Sequence, residues 1–167
     1  ALLEAGFHLA YIEVGGLFGN PNAIKIWDKF YEYITGRYQL NTKVVLEGMS
    51  RGGLTIFNWG NLNAEKVACI YGDAPVCDFK SWPGGKGEGP GSAKEWKQCC
   101  KQYGFSEEEA LTYDANPIDK MENLAKFKVP ILNVVGDADK VVPVEENTKK
   151  LQKRLKELNW DLTIIHK

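Results

Sequence analysis

Residues 43 to 60 narrow the possible folds more than any other stretch. Lys-Val-Val-Leu-Glu-Gly at 43 to 48 reads as a strand, nearly all apolar rather than alternating. It stops at Gly-Met-Ser-Arg-Gly-Gly, 48 to 53, and residues 51 to 60 read as a helix that ends near Gly60. A continuous apolar strand belongs in a parallel sheet with helices covering both faces. A strand that turns directly into a helix opens a βαβ unit, which requires a crossover connection.

The rest of the chain keeps the same rhythm. Residues 6 to 14, Gly-Phe-His-Leu-Ala-Tyr-Ile-Glu-Val, are β-branched and aromatic and run into Gly15 and Gly16, which predicts a strand and a turn. Asn20 and Pro21 open a helix as N-cap and first-turn residue. Its apolar face, Ile24, Trp27, Phe30, Tyr31, Ile34 and Tyr38, is expected to pack on a sheet. Further strands are predicted at Val67 to Tyr71, Val129 to Val135 and Leu162 to Ile165, with a helix from Val144 to Leu158 whose Val144, Leu151, Leu155 and Leu158 face one way. The fold class is α/β, a mostly parallel, doubly wound sheet with flanking helices. With 167 residues, 44% hydrophobic and 26% charged, the chain suits one core, a single domain over 1–167.

One interval breaks the alternation. From 74 to 127 no strand is convincing, and residues 83 to 92, Pro-Gly-Gly-Lys-Gly-Glu-Gly-Pro-Gly-Ser, are too glycine-rich for regular structure. Ser106 and Glu109 form a capping box that starts a short helix through Tyr113. The interval is read as a cap-like excursion over the end of the sheet. Trp82, Trp96 and Tyr103 are its candidates for an aromatic pocket wall, and aromatics that pin a long loop are the plainer alternative.

Composition excludes several classes of function. A net charge of -1, from 21 basic and 22 acidic residues, offers no field for nucleic acid or an anionic membrane. No apolar run reaches the roughly 18 residues that cross a bilayer. Ala1 is not an initiator methionine, so the sequence is expected to be a piece of a longer one, and a removed signal peptide would point to a secreted or periplasmic protein. Cys69, Cys77, Cys99 and Cys100 lack the spacing of paired zinc ligands. Cys69 reads as a small buried hydrophobe, and a bridge from Cys77 to Cys99 or Cys100 stays open for an oxidising compartment. His8, inside the first predicted strand, reads as a core or sheet-end histidine.

Ser50 is the candidate for chemistry. In Gly48-Met49-Ser50-Arg51-Gly52 the glycines permit a tight bend that pushes the serine oxygen out above a sheet. The Arg51 amide then faces the serine oxygen's surroundings as an oxyanion donor, aided by the following helix N-terminus. The plainer alternative is a strand-to-helix turn with Ser50 as N-cap. A phosphate cradle is the weaker reading, because no Gly-x-x-x-x-Gly-Lys-Ser/Thr is present and the glycine-rich segment at 83 to 92 follows no strand. A nucleophilic serine needs a base and an acid to orient it. Asp137 and Asp139 lie just after the strand at Val129 to Val135 and before Pro143, and Asp73 follows the preceding strand.

Gly-Met-Ser-Arg-Gly-Gly at 48 to 53 together with Gly-Asp-Ala-Asp-Lys-Val-Val-Pro at 136 to 143 resembles the α/β-hydrolase superfamily, particularly serine esterases and prolyl-oligopeptidase-like hydrolases. The resemblance spans most of the chain. It implies Ser50 as nucleophile, Asp139 as triad acid, the Arg51 N–H as oxyanion donor, and no metal or organic cofactor. Asp137 is then a turn residue bonding its own backbone. The family's histidine follows the last strand, so the base is expected a few residues past Lys167, with His166 the nearest candidate in the sequence. Strands that precede residue 6 in the family are also expected outside this sequence. The implied activity is hydrolysis of a small-molecule carboxylic ester through an acyl-serine; an aromatic wall of Trp82, Trp96 and Tyr103 suits sugar rings as well as acyl chains, which makes a carbohydrate ester one candidate substrate. The rivals are a prolyl-oligopeptidase-like peptidase and a catalytically inactive binding module. Oligomeric state is open.

Overall fold

The computed structural model describes residues 2–167. Four strands, β1 (Val44–Met49), β2 (Val67–Asp73), β3 (Ile131–Val135) and β4 (Thr163–His166), form one sheet in the order β1-β2-β3-β4, every pair parallel. Six helices flank it: α1 (Pro21–Tyr38), α2 (Gly52–Leu62), α3 (Ala93–Tyr103), α4 (Glu107–Thr112), α5 (Glu122–Lys126) and α6 (Thr148–Glu157). This is the α/β architecture that the alternation of elements predicts. Because all four strands run the same way, their carboxyl ends form a single rim.

Three departures have physical reasons. Residues 7 to 14 are not a strand, although their side chains suit one. Among the described residues, no backbone hydrogen bond joins 8 to 13 to any neighbour, and β-propensity describes fit to a paired, half-buried surface rather than a preference of the lone backbone. Phe7, Leu9 and Tyr11 are consequently exposed, and His8 is a surface residue. Second, β1 is covered on one face only. Leu46 is buried, whereas Val45 and Met49 on the other face are 49% and 72% exposed. Third, the helix expected from Val144 is broken at Asn147, whose backbone (φ -117°, ψ -86°) separates a 3-10 turn at Val144–Glu146 from α6. The Asn147 side chain is the cause: Oδ1 accepts from Cys77 N at 2.9 Å, and Nδ2 donates to Ser81 Oγ and Pro143 O, both at 3.1 Å.

Two apolar clusters hold the molecule. The larger joins Leu46, Ile56, Phe57, Trp59, Ile70, Leu124, Ile131, Leu151 and Leu155 around the sheet. α1 reaches it through α2, with Trp27 and Tyr31 at 5.9 and 5.5 Å from Trp59, rather than by lying flat on strands. The second cluster fastens the excursion to the rim: Phe18, Leu54, Val76, Phe79, Trp96, Cys99 and Ala110 are buried together. α3 and α5 are helices that the glycine-rich reading of this interval does not foresee. All four cysteines are free thiols. Cys77 and Cys99 belong to different clusters, and burial pushes both thiols up, Cys99 to about 12.

The glycine-rich loop is clasped rather than loose. The nearly enclosed Glu146 carboxylate accepts from Ser81 Oγ at 2.6 Å and from the Glu88 N–H, and a side chain at Gly87 would collide with it.

Candidate active site

The rim is built first by register. Met49 pairs with Asp73, Asp73 with Val134, and Val135 with His166. Ser50, Asp73, Asp137, Asp139 and His166 therefore all leave the sheet at the same edge.

Ser50 turns the chain from β1 into α2 with φ +49°, a left-handed conformation that costs an ordinary residue about 1–2 kcal/mol. Its amide donates to Asp73 O at 2.8 Å, extending the β1–β2 ladder by one rung. Its carbonyl accepts from Gly53 N at 3.0 Å and Val76 N at 2.9 Å. That carbonyl and the Arg51 N–H belong to one rigid peptide plane, so the two bonds also fix the Arg51 N–H. Among the described residues the Arg51 N–H donates to nothing, and the Ser50 hydroxyl has no hydrogen-bond partner. Ser50 thus does not cap α2, and the plain N-cap alternative is set aside.

The glycines divide by contact. A Cβ at Gly48 would lie 2.9 Å from Ile56 Cδ1, and one at Gly53 would lie 2.5 Å from Val76 O and 2.7 Å from Pro75 Cβ. A Cβ at Gly52 would meet nothing within 4 Å. The bend requires Gly48 and Gly53, while the Gly52 of the five-residue spacing faces open space.

The two aspartates after β3 exchange the partners expected for them. Asp139 Oδ1 accepts from Val141 N at 2.8 Å and Val142 N at 3.0 Å, so it is this carboxylate that organises its own turn. Its other oxygen accepts nothing among the described residues. Asp137, more exposed, lies with Oδ1 2.5 Å from His166 Nδ1. His166 is the last residue of β4, in register with Val135. Three strand spacings, about 14 Å, separate β4 from β1, more than an imidazole spans. Asp73 accepts from Lys167 Nζ at 2.8 Å, and this bond raises the lysine above its ordinary pKa.

Of the aromatics expected to line a pocket, only Trp82 borders the serine turn, through Arg51. Trp96 is buried beside Phe79, with ring centroids 6.0 Å apart. Tyr103 packs against Phe79, Phe105 and Tyr113 and donates to Phe18 O at 3.0 Å; burial raises its phenol far above the usual range. Both serve packing. Two clefts open in the excursion, about 310 Å³ around Ser81 and Glu146 and about 700 Å³ between α3 and the glycine-rich loop, and neither is lined by Ser50.

The serine turn has one partner that sequence does not reveal. Arg51 Nη1 donates to Glu95 Oε2 of α3 at 2.9 Å, and its guanidinium carbon lies 5.4 Å from the Phe18 ring centroid and 5.8 Å from that of Trp82. The available signal was Ser92-x-x-Glu95 followed by Gly104, which marks both ends of α3: Ser92 Oγ accepts from Glu95 N, and Gly104 ends the helix at φ +74°.

Comparison with known proteins identifies the family. The model of the prolyl oligopeptidase family matches residues 24–165. Among solved structures, the chain resembles a puromycin-hydrolyzing peptidase of Mycobacterium tuberculosis, with 12% identity and a TM-score of 0.67 over 87% of this chain and 21% of that one. It also resembles dipeptidyl peptidase 4 of Porphyromonas gingivalis, with 18% identity and a TM-score of 0.62 over 93% and 20% of the two chains. A thermostable esterase aligns at 17% identity and a TM-score of 0.54 over 86% and 27%. At these identities the likeness is one of fold. The chain spans only about a fifth to a quarter of the length of these structures. Comparison with curated proteins gave no match. Among the described residues no helix is long and apolar enough to cross a membrane.

Proposed function

Because the chain belongs to the prolyl oligopeptidase family, we propose that it carries the nucleophile and acid of a serine hydrolase that cleaves a peptide bond, or a related small amide or ester, through an acyl-serine. The observation that carries this reading is the Ser50 turn: a left-handed serine with an unengaged hydroxyl, followed by an N–H with no acceptor, at the carboxyl edge of a parallel sheet. Ser50 Oγ attacks the carbonyl carbon while its proton passes to a histidine. The carbonyl oxygen becomes an oxyanion that the Arg51 N–H accommodates, already oriented by the Ser50 carbonyl bonds. The histidine returns the proton to the leaving amine or alcohol, and water releases the acyl group by the same steps in reverse.

Asp139 is the acid in this reading. Two backbone amides immobilise one of its oxygens and leave the other to orient an imidazole. The base is a histidine that a segment following β4 brings back toward Ser50, as the family resemblance implies; His166, paired with Asp137 at the end of β4, is not in this role. The family match and the peptidases among the solved structures favour a peptide substrate over a carbohydrate ester. With Tyr103 committed to packing and Trp96 lining a cleft that Ser50 does not border, the aromatic wall at the serine turn is reduced to Trp82.

Labelling of the intact protein with a fluorophosphonate tests the reading. The expected result is one phosphonylated site at Ser50, abolished by Ser50→Ala. A protein that takes no label at all is a binding module and not a serine hydrolase, and one that labels equally after Ser50→Ala reacts at another residue, which overturns Ser50 as nucleophile.

A further inference from the structure

The Arg51 side chain leaves the serine turn in a direction that the chemistry above does not use, yet it is the most firmly held side chain there. Met49 on one side is 72% exposed, Ser50 has no side-chain hydrogen bond, and α2 begins with Gly52 and Gly53, the residue type least able to hold a backbone conformation. A Cβ at Gly52 would meet nothing within 4 Å, and the close packing of this stretch begins at Gly53, against Pro75 and Val76. A left-handed serine persists only where its surroundings over-determine it. Backbone bonds supply part of that hold from the β2 side, through Asp73 O and Val76 N. From the excursion side the hold is the Arg51 guanidinium, hydrogen-bonded to Glu95 at 2.9 Å and set against Phe18 and Trp82.

Glu95 is itself well placed. It lies in the first turn of α3, where a carboxylate is favoured by the helix dipole, and Ser92 caps that turn. The second apolar cluster, with Trp96 and Cys99 of α3 buried beside Phe18 and Leu54, anchors α3 against the rim.

We propose that Glu95 is a positioning residue for the reaction at Ser50: by holding Arg51 it keeps the Ser50–Arg51 peptide, and hence the oxyanion-facing N–H, in its reactive orientation. The excursion thereby acts as a support for the nucleophile and not only as a cover over it. The inference rests on the acyl-serine reading of Ser50.

The rate of fluorophosphonate labelling, measured on the intact protein, on Glu95→Ala and Glu95→Gln, and on the remote control Glu157→Ala, tests it. Glu95→Ala is expected to label about tenfold more slowly, the scale of one lost charge-assisted hydrogen bond. Glu95→Gln, which keeps a neutral acceptor, should fall between, and Glu157→Ala should match the parent. A salt titration adds a signature that loose packing would not give: the half-exposed pair is screened, so the parent should slow as ionic strength rises while Glu95→Ala does not. Circular dichroism melts within a few degrees of the parent show that the variant is folded. Equal labelling rates and equal salt dependence in parent and Glu95→Ala overturn the inference while leaving the nucleophile intact. A parent protein that takes no label at Ser50 removes the reading and this inference together.

Discussion

The Ser50 amide and the Asp73 carbonyl are joined by a 2.8 Å hydrogen bond that continues the β1–β2 ladder past the last strand residue. The serine is therefore held as part of the sheet even though its backbone has left the extended region. Its carbonyl, taken by Gly53 and Val76, points the other way and fixes the peptide that carries the Arg51 N–H. Sheet register holds the Ser50 amide and turn chemistry holds its carbonyl, which is why a strained residue can stand at a stable place.

The glycines around this turn should respond unequally to alanine. Gly53→Ala pushes a methyl group to 2.5 Å from Val76 O and 2.7 Å from Pro75 Cβ, where backbone must move. A loss of about 1–3 kcal/mol in urea unfolding is expected, with slower labelling of Ser50. Gly52→Ala enters open space at the start of a helix. It should leave stability unchanged or raise it by about 0.5–1 kcal/mol. Equal losses at both positions would contradict the contact account.

Glu146 should make the glycine-rich loop sensitive to acid. Burial alone raises its pKa, but hydrogen bonds from Ser81 and from the backbone at Glu88 and Gly89, with the charge of Lys150, outweigh burial and lower it. A carboxylate whose folded pKa lies below its unfolded value stabilises the fold above the unfolded value, about 4.3, and loses that contribution as pH falls through the folded one. Glu146→Gln should therefore cost about 1–3 kcal/mol at neutral pH. The gap between parent and variant should close progressively in acid below about pH 4. Chemical denaturation across pH measures it, and a gap independent of pH would contradict the account.

What could be read from the sequence follows how local each cause is. The four strands were legible because runs such as Val-Val-Leu and Ile-Leu-Asn-Val-Val carry their apolar, β-branched character within a few residues. The Ser106–Glu109 capping box, also local, forms as expected. Residues 6 to 14 misled because a strand needs a neighbour, and pairing is not written in the segment itself. β1 misled for the same reason, since Val45 and Met49 have the composition of buried positions without the cover. In the site, the strand-turn-helix setting of Ser50 was visible. The contacts that make Gly53 rather than Gly52 necessary come from Pro75 and Val76, and Arg51 meets Glu95 across 44 positions. Both depend on how the excursion returns to the rim.

The second apolar cluster predicts a large, specific loss at Phe79. Its ring is fully buried and lies 5.1 Å from Tyr103, 5.2 Å from Tyr113 and 6.0 Å from Trp96. Phe79→Ala leaves a cavity at the centre of this group and should cost about 3–5 kcal/mol. Because α3 is anchored here, labelling at Ser50 should slow as well. Trp82→Ala, at the half-buried edge, should cost clearly less in thermal melts; an equal cost would show that the cluster is not centred on Phe79.

The aspartates after β3 give the sharpest division between chemistry and local pairing. If Asp139 orients the base, Asp139→Asn weakens two turn hydrogen bonds and removes the charge that stabilises the imidazolium. Labelling should fall by a factor of about 10²–10⁴, the range set by loss of a triad acid, with a stability loss of about 1–2 kcal/mol from the turn. Asp137→Asn and His166→Ala break an exposed pair whose contribution to stability is small. Labelling rates within about twofold of the parent are expected for both, since three strand spacings, about 14 Å, hold His166 away from β1. Should His166→Ala abolish labelling while Asp139→Asn is tolerated, Asp137 and His166 would take over the roles assigned here to Asp139 and the returning histidine.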